Sequence, residues 1–431
     1  MHNSSSLPLR EGAREREAFE RGRGTAQSPS PEASSALHPL PRPLPPGEGE
    51  KKRLAVTRLS LTNFRSYAAG EIRVSGTSVV LAGPNGAGKT NVLDAISLLS
   101  PGRGLRGAKL AEHTRKGPVA SEETLWAVAA TVVRGGADYE IGTGLTQAPQ
   151  PRPDGGSRQD KRHVRLNGAP AQSSADLGDI VQLIWLTPAM DRLFIESAGG
   201  RRRFLDRLVL GFDTAHARAA TRYEIAMRER ARLLKFGPRD PVWLDGLEHE
   251  MAEAGIQIAQ ARAATVEKLS GALAEREQAG VFPAASLALA DELHLASADD
   301  LRGALAMSRI RDAEAGRALV GPHTTDLLVR HTAKRAEARD CSTGEQKALL
   351  IAIILADARE LARARQDLAP ILLLDEIAAH LDAVRRAALF EEIHALSAQA
   401  WMTGTDLSLF REAQAEIFEV RDGVFHSQGA A

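Results

Sequence analysis

The chain has 431 residues, with 55 Lys and Arg against 55 Asp and Glu, which predicts two to three domains and argues against a polybasic, histone-like protein. Hydrophobic residues make up 43% and charged residues 26%, a balance typical of soluble globular proteins. A single cysteine, Cys341, excludes an intrachain disulfide framework, and the longest apolar run, residues 348–356, is about half as long as a membrane span, so we expect a cytoplasmic protein with no membrane segment.

The composition of the first 53 residues predicts a segment that does not fold. They are rich in Pro, Ser, Gly and charged residues and contain a proline-dense run at residues 38–46. Such a composition cannot bury enough apolar surface to offset the entropy of ordering the chain. We interpret residues 1–53 as a disordered extension or as the result of a start codon assigned too early, with a proline-rich docking motif as the alternative.

Strand patterns dominate residues 54–199. Alternating apolar residues predict a strand at 54–61, and a short apolar run predicts a buried strand at 78–82. Helical spacing follows at residues 91–99. Further along lie a strand pattern at 125–133, a Pro- and Gly-rich stretch at 147–162 that predicts a flexible insert, and a strand entering an Asn-Gly hairpin turn at 163–168.

From residue 200 to about residue 274 the pattern becomes helical. Apolar residues from Trp243 to Leu269 recur every three or four positions, which predicts one amphipathic face with Trp243 as its first member. We favour helices that pack as an ordinary helical domain over a long coiled coil, because the pattern lasts only about four heptads. Beyond it, residues 371–374 predict a buried strand and residues 416–425 a terminal hairpin.

The strongest chemical signal is a phosphate-binding loop between the strand at 78–82 and the helix at 91–99, which satisfies the pattern G-x-x-x-x-G-K-[ST]. Its glycines let backbone N–H groups converge on phosphate oxygens, and the following helix directs its positive N-terminus at the same anion. We expect Lys89 to reach the β- and γ-phosphates and Thr90 to ligate Mg²⁺. The loop residues are Gly83, Pro84, Asn85, Gly86, Ala87, Gly88, Lys89 and Thr90.

A second motif supplies carboxylates. The apolar run at 371–374 is followed at once by Asp375 and Glu376. We expect Asp375 to hold the Mg²⁺ shell and Glu376 to polarise the attacking water as a general base. An apolar strand that ends in Asp-Glu is by itself a common structural feature, so this interpretation depends on its pairing with the phosphate loop.

Between these motifs, residues 342–347 form a Ser- and Gly-rich turn that opens a helix. Such a helix N-terminus can bind an anion, although alone it is more often a plain helix cap. Its position ahead of Asp375 favours an anion-binding role for this turn. Asp382 follows the carboxylates at the spacing of a loop that crosses to a second subunit.

With these motifs in place, the sequence resembles the SMC-like class of ABC-type ATPases and, within it, the RecF family of DNA replication and repair proteins. The match extends from residue 54 to the C-terminus, and four further segments carry it. They are the N-F-R-S-Y element within residues 59–67, R-R-R-F-L-D at 201–206, G-P-H-T-T-D at 321–326 and S-T-G-E-Q-K at 342–347.

The resemblance implies a two-lobed α/β ATPase head with a P-loop. Residues 54–199 and 320–431 would form the two halves of this head, and residues 200–319 an inserted helical, short coiled-coil-like arm. The implied cofactors are ATP and Mg²⁺, with slow ATP hydrolysis used as a switch. Arg65 would be among the ATP-binding residues.

The resemblance also implies an ATP-dependent homodimer. Ser342 and Gly344 of one subunit would complete the ATP site of the other, with Asp382 at the crossing loop. The implied partners are DNA, single-stranded or as gapped duplex, and the RecO and RecR mediators that load the RecA recombinase.

A basic stretch offers one way to contact DNA. Residues 192–239 hold twelve Lys and Arg against five Asp and Glu, so a helical arm could track phosphates. A solvated helix face explains the same composition equally well, and residues 201–203 could instead cap packing at a lobe junction.

Three positions depart from the family pattern. The switch-histidine position after the last core strand holds no histidine, and Thr405 is the candidate replacement. Residues 188–191 occupy the place of a glutamine-containing loop, and Thr324 stands where the family often has arginine.

Two other functions share the nucleotide motifs. The ATPase subunit of an ABC transporter usually has a shorter span between the phosphate loop and the acidic motif, and lacks the N-F-R-S-Y element. An SMC-like ATPase with another DNA-processing role, such as an attached nuclease, would need a carboxylate cluster of nuclease type outside the ATPase, and the sequence shows none.

Overall fold

Three β-sheets account for the strands of the computed structural model, which describes residues 53–116, 124–146, 162–237, 240–275, 280–290, 297–366 and 368–430. The predicted disordered extension, except Arg53, and the predicted flexible insert, except Arg162, lie outside these residues. The strands are β1 Leu54–Phe64, β2 Tyr67–Arg73, β3 Ser78–Ala82, β4 Thr124–Arg134, β5 Ala137–Thr146, β6 His163–Leu166, β7 Ala169–Pro170, β8 Leu183–Leu186, β9 Ala285–Ala290, β10 Asp326–His331, β11 Ala336–Glu337, β12 Ile371–Leu374, β13 Ala400–Gly404, β14 Ala415–Arg421 and β15 Val424–Ala430.

The helices of the described residues are α1 Lys89–Ser97, α2 Ala198–Phe212, α3 His216–Phe236, α4 Pro241–Ala274, α5 Ala298–Ala315, α6 Thr343–Ala364 and α7 Ala383–Ala395. Short 3-10 turns lie at Leu110–His113, Ser174–Asp179, Pro188–Arg192, Ala338–Asp340, Ala378–His380 and Leu407–Phe410. The helical pattern predicted from residue 200 to about 274 is confirmed by α2, α3 and α4. None of the described helices combines the length and apolar character that crossing a bilayer requires.

The core sheet places the two predicted nucleotide motifs side by side. Its order is β15-β14-β3-β13-β12-β8, and the strands from β14 to β8 run parallel. Strands β3, β12 and β13 are buried along their whole length, as expected for parallel strands covered on both faces. Because the carboxyl ends of parallel strands meet at one edge, the loop after β3 and the carboxylates after β12 share that edge.

Different layers cover the two faces of the core sheet, because alternate residues of one strand point to opposite faces. Ile371 and Leu373 belong to a core cluster that includes α1 and the strands of the second sheet. Leu372 and Leu374 belong to the other large cluster, which includes α2, α4, α6 and the third sheet, of order β11-β10-β9. The helix after the phosphate loop and the helix after the signature-like turn therefore contact opposite faces of the core sheet.

The second sheet is antiparallel, with the order β2-β1-β4-β5-β6-β7. Leu59 and Trp126 of this sheet pack in the same cluster as Ile96 of α1. The hairpin predicted after β6 is confirmed, since Asn167 and Gly168 have φ of 50° and 81°, the positive values that this turn requires. The phosphate-loop helix is thereby held between the two six-stranded sheets.

Helices α3, α4 and α5 surround a buried ion network. The side chains of Arg230, Glu248 and Asp312 are each 1% exposed, and the guanidinium donates to Glu248 at 2.9 Å and to Asp312 at 2.7 Å. The prediction that Trp243 lies on the buried face is wrong, because Trp243 is 55% exposed and Leu244 is buried instead. The buried stripe of α4 runs through Glu248, a paired carboxylate that hydropathy patterns assign to the surface.

The α/β head fold with inserted helices agrees with the sequence-based fold class. The residues that the structure describes belong to one compact unit. The exact division into a head at 54–199 and 320–431 and an arm at 200–319 therefore stays a prediction.

Candidate nucleotide site

The phosphate loop at residues 83–90 joins β3 to α1 and needs glycine at defined points. Gly83, Gly86 and Gly88 have φ of 147°, 84° and 108°, values that favour glycine. A Cβ on Gly83 would lie 2.4 Å from the Val420 carbonyl oxygen, and one on Gly88 would lie 2.7 Å from Ser66 Oγ. The backbone carbonyl excludes any larger residue at position 83, whereas at Gly88 the positive φ and the required shift of the Ser66 side chain disfavour one.

Tyr67, the first residue of β2, packs against the phosphate loop. Its buried hydroxyl donates to the Gly88 carbonyl oxygen at 3.1 Å, and its ring stacks on Phe425 with centroids 5.4 Å apart. Burial raises the pKa of Tyr67, so the hydroxyl stays a neutral donor. The neighbouring Ser66 hydroxyl accepts a hydrogen bond from Asn91 Nδ2 at 2.9 Å. The N-F-R-S-Y element therefore shapes the phosphate loop directly.

Lys89 places a nearly buried cation against the loop. Its side chain is 4% exposed, and Nζ donates to the carbonyl oxygens of Gly83 at 2.7 Å and Pro84 at 2.9 Å. Burial lowers the pKa of Lys89, whereas the carboxylates of Glu376 and Asp375 act to raise it. Its hydrogen-bond acceptors are neutral carbonyls, so an anion at the loop would be a stronger partner than either.

Asp375 joins the two motifs across 285 positions of sequence. Its Oδ1 accepts hydrogen bonds from Thr90 Oγ1 at 2.9 Å and from Thr403 Oγ1 at 2.7 Å. Its backbone N–H donates to the Leu186 carbonyl oxygen at 2.9 Å, which continues the pairing of β12 with β8. The carboxylate is therefore fixed in direct contact with the hydroxyl that was predicted to ligate the metal.

Thr403 is a site residue that the sequence reasoning missed. This buried side chain at the end of β13 accepts a hydrogen bond from the Glu376 N–H at 2.9 Å while it donates to Asp375. Thr405, the residue proposed from the sequence, is exposed. Glu376 has φ of 52°, a strained value for a residue with a side chain, which the contact with Thr403 helps to hold.

Lys89, Thr90 and Glu376 line an open cleft of about 210 Å³. Arg106, from the loop after α1, also lines it, and no motif in the sequence pointed to this residue. Two larger cavities, of about 300 Å³ each, contain none of the predicted nucleotide residues. The cleft residues are Asn85, Gly86, Gly88, Lys89, Thr90, Asn91, Arg106 and Glu376.

Arg65, predicted to contact ATP, is engaged behind the loop. Its Nε donates to Asp94 of α1 at 3.0 Å and its NH1 to the Glu112 carbonyl oxygen at 3.0 Å. Burial alone would raise the pKa of Asp94, but the adjacent His113 and Arg65 outweigh it and lower that pKa. Arg65 therefore holds the phosphate-loop helix, and its contact with ATP stays a prediction.

The signature-like turn lies at the N-terminus of α6. Ser342 precedes the helix, and its N–H donates to Glu345 Oε2 at 3.0 Å. Ion pairing with Lys334, together with this capping contact, lowers the pKa of Glu345 to about 2. Ser342 and Gly344 are exposed, and a Cβ on Gly344 would meet nothing within 4 Å. Neither residue lines the cleft.

Asp382 also lies away from the cleft. It caps α7 by accepting a hydrogen bond from the Arg385 N–H at 2.8 Å, and its side chain is 55% exposed. The turn Pro188–Arg192, in the place of a glutamine loop, contacts the signature helix instead, since Asp191 pairs with Lys347 at 3.0 Å. In a single chain the phosphate loop and the signature residues are thus separate surfaces.

The R-R-R-F-L-D segment packs within the chain, which was one of the two sequence interpretations. Arg201 forms two hydrogen bonds with Asp326, at 2.8 and 2.7 Å, and Arg202 donates to the Thr325 carbonyl oxygen at 2.9 Å. Thr324 bonds back to the Gly321 carbonyl oxygen at 2.7 Å. These contacts join α2 to the start of β10.

The donor set at the cleft fits Mg²⁺. Thr90 and Asp375 bring a hydroxyl and a carboxylate oxygen within 2.9 Å of each other, and hard oxygen ligands are those that Mg²⁺ prefers. Among the described residues, no group of three or more His, Cys, Asp or Glu could hold a metal by itself.

The fold and the site together define an ABC-type ATPase head. Residues 55–428 match the family model described as the RecF/RecN/SMC N terminal domain. That match covers most of the chain and includes both the phosphate loop and the acidic motif.

Curated relatives narrow the class. DNA replication and repair protein RecF of Agrobacterium fabrum is 48% identical over 380 residues, which cover 86% of this chain and 98% of that protein. RecF of Mesorhizobium japonicum is 48% identical over 363 residues, with 82% and 92% covered. The solved structure of the recombination mediator protein RecF-ATPrS in the RecFOR pathway has a TM-score of 0.75 at 20% identity, covering 88% of this chain and 99% of that one. The chain belongs to the RecF family.

Proposed function

We propose that this chain is an ATP-dependent DNA-binding protein of recombinational repair and replication restart, which helps to load a recombinase at single-strand gaps. The near full-length match to relatives named DNA replication and repair protein RecF supports this function. It also argues against the ATPase subunit of an ABC transporter, which shares the nucleotide motifs alone. We expect the protein to act in the cytoplasm.

ATP is the proposed ligand of the cleft. Lys89 would exchange its two carbonyl acceptors for β- and γ-phosphate oxygens, and the N–H groups of the loop would surround the same phosphates. Thr90 and Asp375 would hold Mg²⁺, which when bound neutralises charge on the phosphates. Solved neighbours carry the names RecF-ATPrS and RecF-ATP, in agreement with this ligand.

Glu376 is the proposed general base. It follows the metal-binding Asp375, lines the cleft, and has its backbone held by Thr403, so its carboxylate is directed by the end of β12. The cleft is open and lacks any residue of the signature turn, so water positioning in one chain is incomplete. We therefore expect slow hydrolysis that resets an ATP-bound state, with dimerisation as the rate-setting requirement.

The exposure of Ser342 and Gly344 is the observation that supports an ATP-dependent dimer. Both lie at a helix N-terminus, a ready anion site, yet neither lines the cleft of its own chain. We propose that they cover the γ-phosphate of a second copy, with Asp382 at the crossing loop. Each ATP would then be bound by two chains, so nucleotide and dimer stabilise each other.

Glu376→Gln tests this switch. Removing the base should block hydrolysis while ATP still binds, so the variant should sediment as a dimer with ATP and as a monomer without nucleotide. Glu391→Gln, an exposed carboxylate of α7, is the matched control and should behave as wild type. A Glu376→Gln protein that stays monomeric at saturating ATP would refute the dimer switch.

The proposed macromolecular partners are DNA, single-stranded or as gapped duplex, and the RecO and RecR mediators that deliver RecA. DNA affinity should rise with ATP, because only the dimer presents two DNA-contacting surfaces at once. Titration of duplex, single-stranded and gapped oligonucleotides, with and without ATP, measures this directly. Equal affinity in both nucleotide states for all three substrates would contradict the proposal.

A further inference from the structure

The connection from α1 to the end of the turn Leu110–His113 is unusually basic. Residues 98–116, here called the anchored segment, contain Arg103, Arg106, Lys109, Arg115 and Lys116 against one carboxylate, Glu112. That carboxylate is itself used, since Glu112 Oε2 accepts a hydrogen bond from the Lys109 N–H at 3.4 Å. The sequence patterns assigned no function to this segment.

A half-buried arginine anchors its first part. Arg162 donates to the carbonyl oxygens of Leu98, Ser100 and Gly102, the latter two at 3.2 and 3.0 Å, and to Thr143 Oγ1 at 2.7 Å. Burial lowers the pKa of Arg162 to about 10, so it is still a cation at neutral pH. A cation that binds the carbonyls following a helix C-terminus stabilises that backbone in one conformation.

Aromatic packing anchors the second part. Trp126 Nε1 donates to the Leu110 carbonyl oxygen at 2.8 Å. His113 is fully buried and stacks on Phe64 with ring centroids 5.5 Å apart. The backbone is therefore tied to the second sheet at both ends of the segment, and its path is set before any ligand binds.

The basic side chains of this ordered backbone remain available. Arg103, Lys109 and Lys116 are exposed and form no ion pair with any residue that the structure describes. Preorganised cations lose little entropy on binding a polyanion, and they gain by releasing its counterions.

We propose that the anchored segment is a contact surface for the DNA phosphate backbone, an inference that rests on the proposed DNA-binding function. Backbone contact suits this surface, because it offers cations without an exposed aromatic platform for base stacking. Arg106 of the same segment lines the nucleotide cleft. One ordered segment thus borders both ligands, and occupancy of the cleft can bias DNA affinity through it.

The basic residues of α3, which the composition suggested as a DNA contact, differ in kind. Arg228 Nε donates to the Glu224 carbonyl oxygen at 3.1 Å, Arg232 lies 3.9 Å from Glu229, and Lys235 Nζ lies 5.0 Å from the Phe236 ring centroid. These exposed cations already have partners within the helix, so they serve as a control of equal charge.

The test compares two triple variants of the full chain. The first is Arg103→Gln, Lys109→Gln and Lys116→Gln, and the matched control is Arg228→Gln, Arg232→Gln and Lys235→Gln. DNA affinity is measured on duplex and single-stranded oligonucleotides of one length across a salt series. The first variant should bind about tenfold more weakly or worse, with a slope of log K against log salt reduced by about 2 to 3, at about 0.9 per lost phosphate contact. ATP affinity should stay at the wild-type value.

Two results would contradict the proposal that the anchored segment contacts DNA. The first is a wild-type affinity and salt slope in the segment variant; the second is an equal loss in the α3 control, which would show a net-charge effect without a site. Either leaves the proposed function intact when the wild-type chain binds DNA. Absence of DNA binding by the wild-type chain with ATP would overturn both.

Discussion

The two halves of the proposed nucleotide site are in opposite states. On the phosphate-loop side, Lys89 is 4% and Asp375 7% exposed, and both are held by several hydrogen bonds. On the signature side, Ser342 and Gly344 are exposed and Asp382 has a side chain 55% exposed. The phosphate-loop side, here called the complete half, is held together within one chain. The signature side, here called the exposed half, lies on the surface of the chain.

This difference shows that a residue with an ordinary helix-capping role can also be a candidate for nucleotide binding. Ser342 precedes α6 and donates its N–H to Glu345, and Asp382 caps α7; both are contacts that any helix start can use. Lys89 likewise bonds to carbonyls of its own loop, whereas Asp375 is held by hydroxyls of distant segments, Thr90 and Thr403, which meet it at one sheet edge. Exposure combined with a helix N-terminus is the basis on which we propose that the signature side binds a second copy.

The largest effect is expected when the complete half loses its cation. Lys89→Ala should weaken ATP binding roughly a hundredfold, because a charged hydrogen-bond donor to phosphate contributes about 3 kcal/mol. Isothermal titration with ATP measures the change, and Lys235→Ala, on α3, is the control. Unaltered ATP affinity in Lys89→Ala would place the nucleotide elsewhere.

The exposed half can be disrupted without the other. Ser342→Arg should weaken the ATP-dependent dimer by about tenfold, or about 1.4 kcal/mol, because a bulky cation would crowd a close interface. ATP affinity of the monomer should stay within about twofold, because Ser342 does not line the cleft of its own chain. Sedimentation and ATP titration separate the two effects, with Ser408→Arg as an exposed control. Equal loss of monomer ATP binding would erase the distinction between the halves.

A smaller effect is expected inside the complete half. Thr403→Val removes the hydroxyl that links Asp375 to the Glu376 N–H, and should lower the free energy of unfolding by about 1–3 kcal/mol. ATP turnover should fall as well, because the base loses its support. Thr405→Val, at an exposed position, should change neither quantity. Urea denaturation and phosphate release test the pair, and similar losses in both variants would contradict the assignment.

The smallest effect concerns the support behind the loop and depends on pH. The pKa of Asp94 is lowered in the folded chain, so its contribution is full above the ordinary value of 3.8 and is lost as pH falls through the folded pKa. Asp94→Asn should lower the free energy of unfolding by about 1 kcal/mol at pH 7, and by progressively less as the pH falls below 3.8.

Urea unfolding of Asp94→Asn and wild type across this pH range gives the comparison. Asp299→Asn, whose side chain is 85% exposed, should show no such pH dependence. A constant difference between Asp94→Asn and wild type at all pH values would show that the charge of Asp94 has no part in it.

Much of the fold and of the complete half follows from short-range patterns. The strands at 78–82 and 371–374, the phosphate loop between a strand and a helix, and the terminal hairpin were all predicted, because each is encoded within about ten neighbouring residues. The missed features are long-range. Thr403, Arg106 and the Arg230 network lie in segments without a motif. The prediction for Trp243 is wrong because hydropathy patterns assign Glu248 to the surface, whereas its ion pair with Arg230 lets it occupy the buried face of α4.

By itself, the sequence determined the chemistry that is available: a loop whose glycines adopt positive φ, a lysine and threonine that follow it, and two carboxylates at a strand end. Only the tertiary structure decided which of these groups meet. Parallel pairing through β13 brings Asp375 to Thr90 across 285 residues, and packing on opposite faces of the core sheet keeps the helix α6 of the signature turn apart from α1. Local patterns set backbone conformation and residue type, whereas contacts between distant segments depend on burial and pairing that no short window contains.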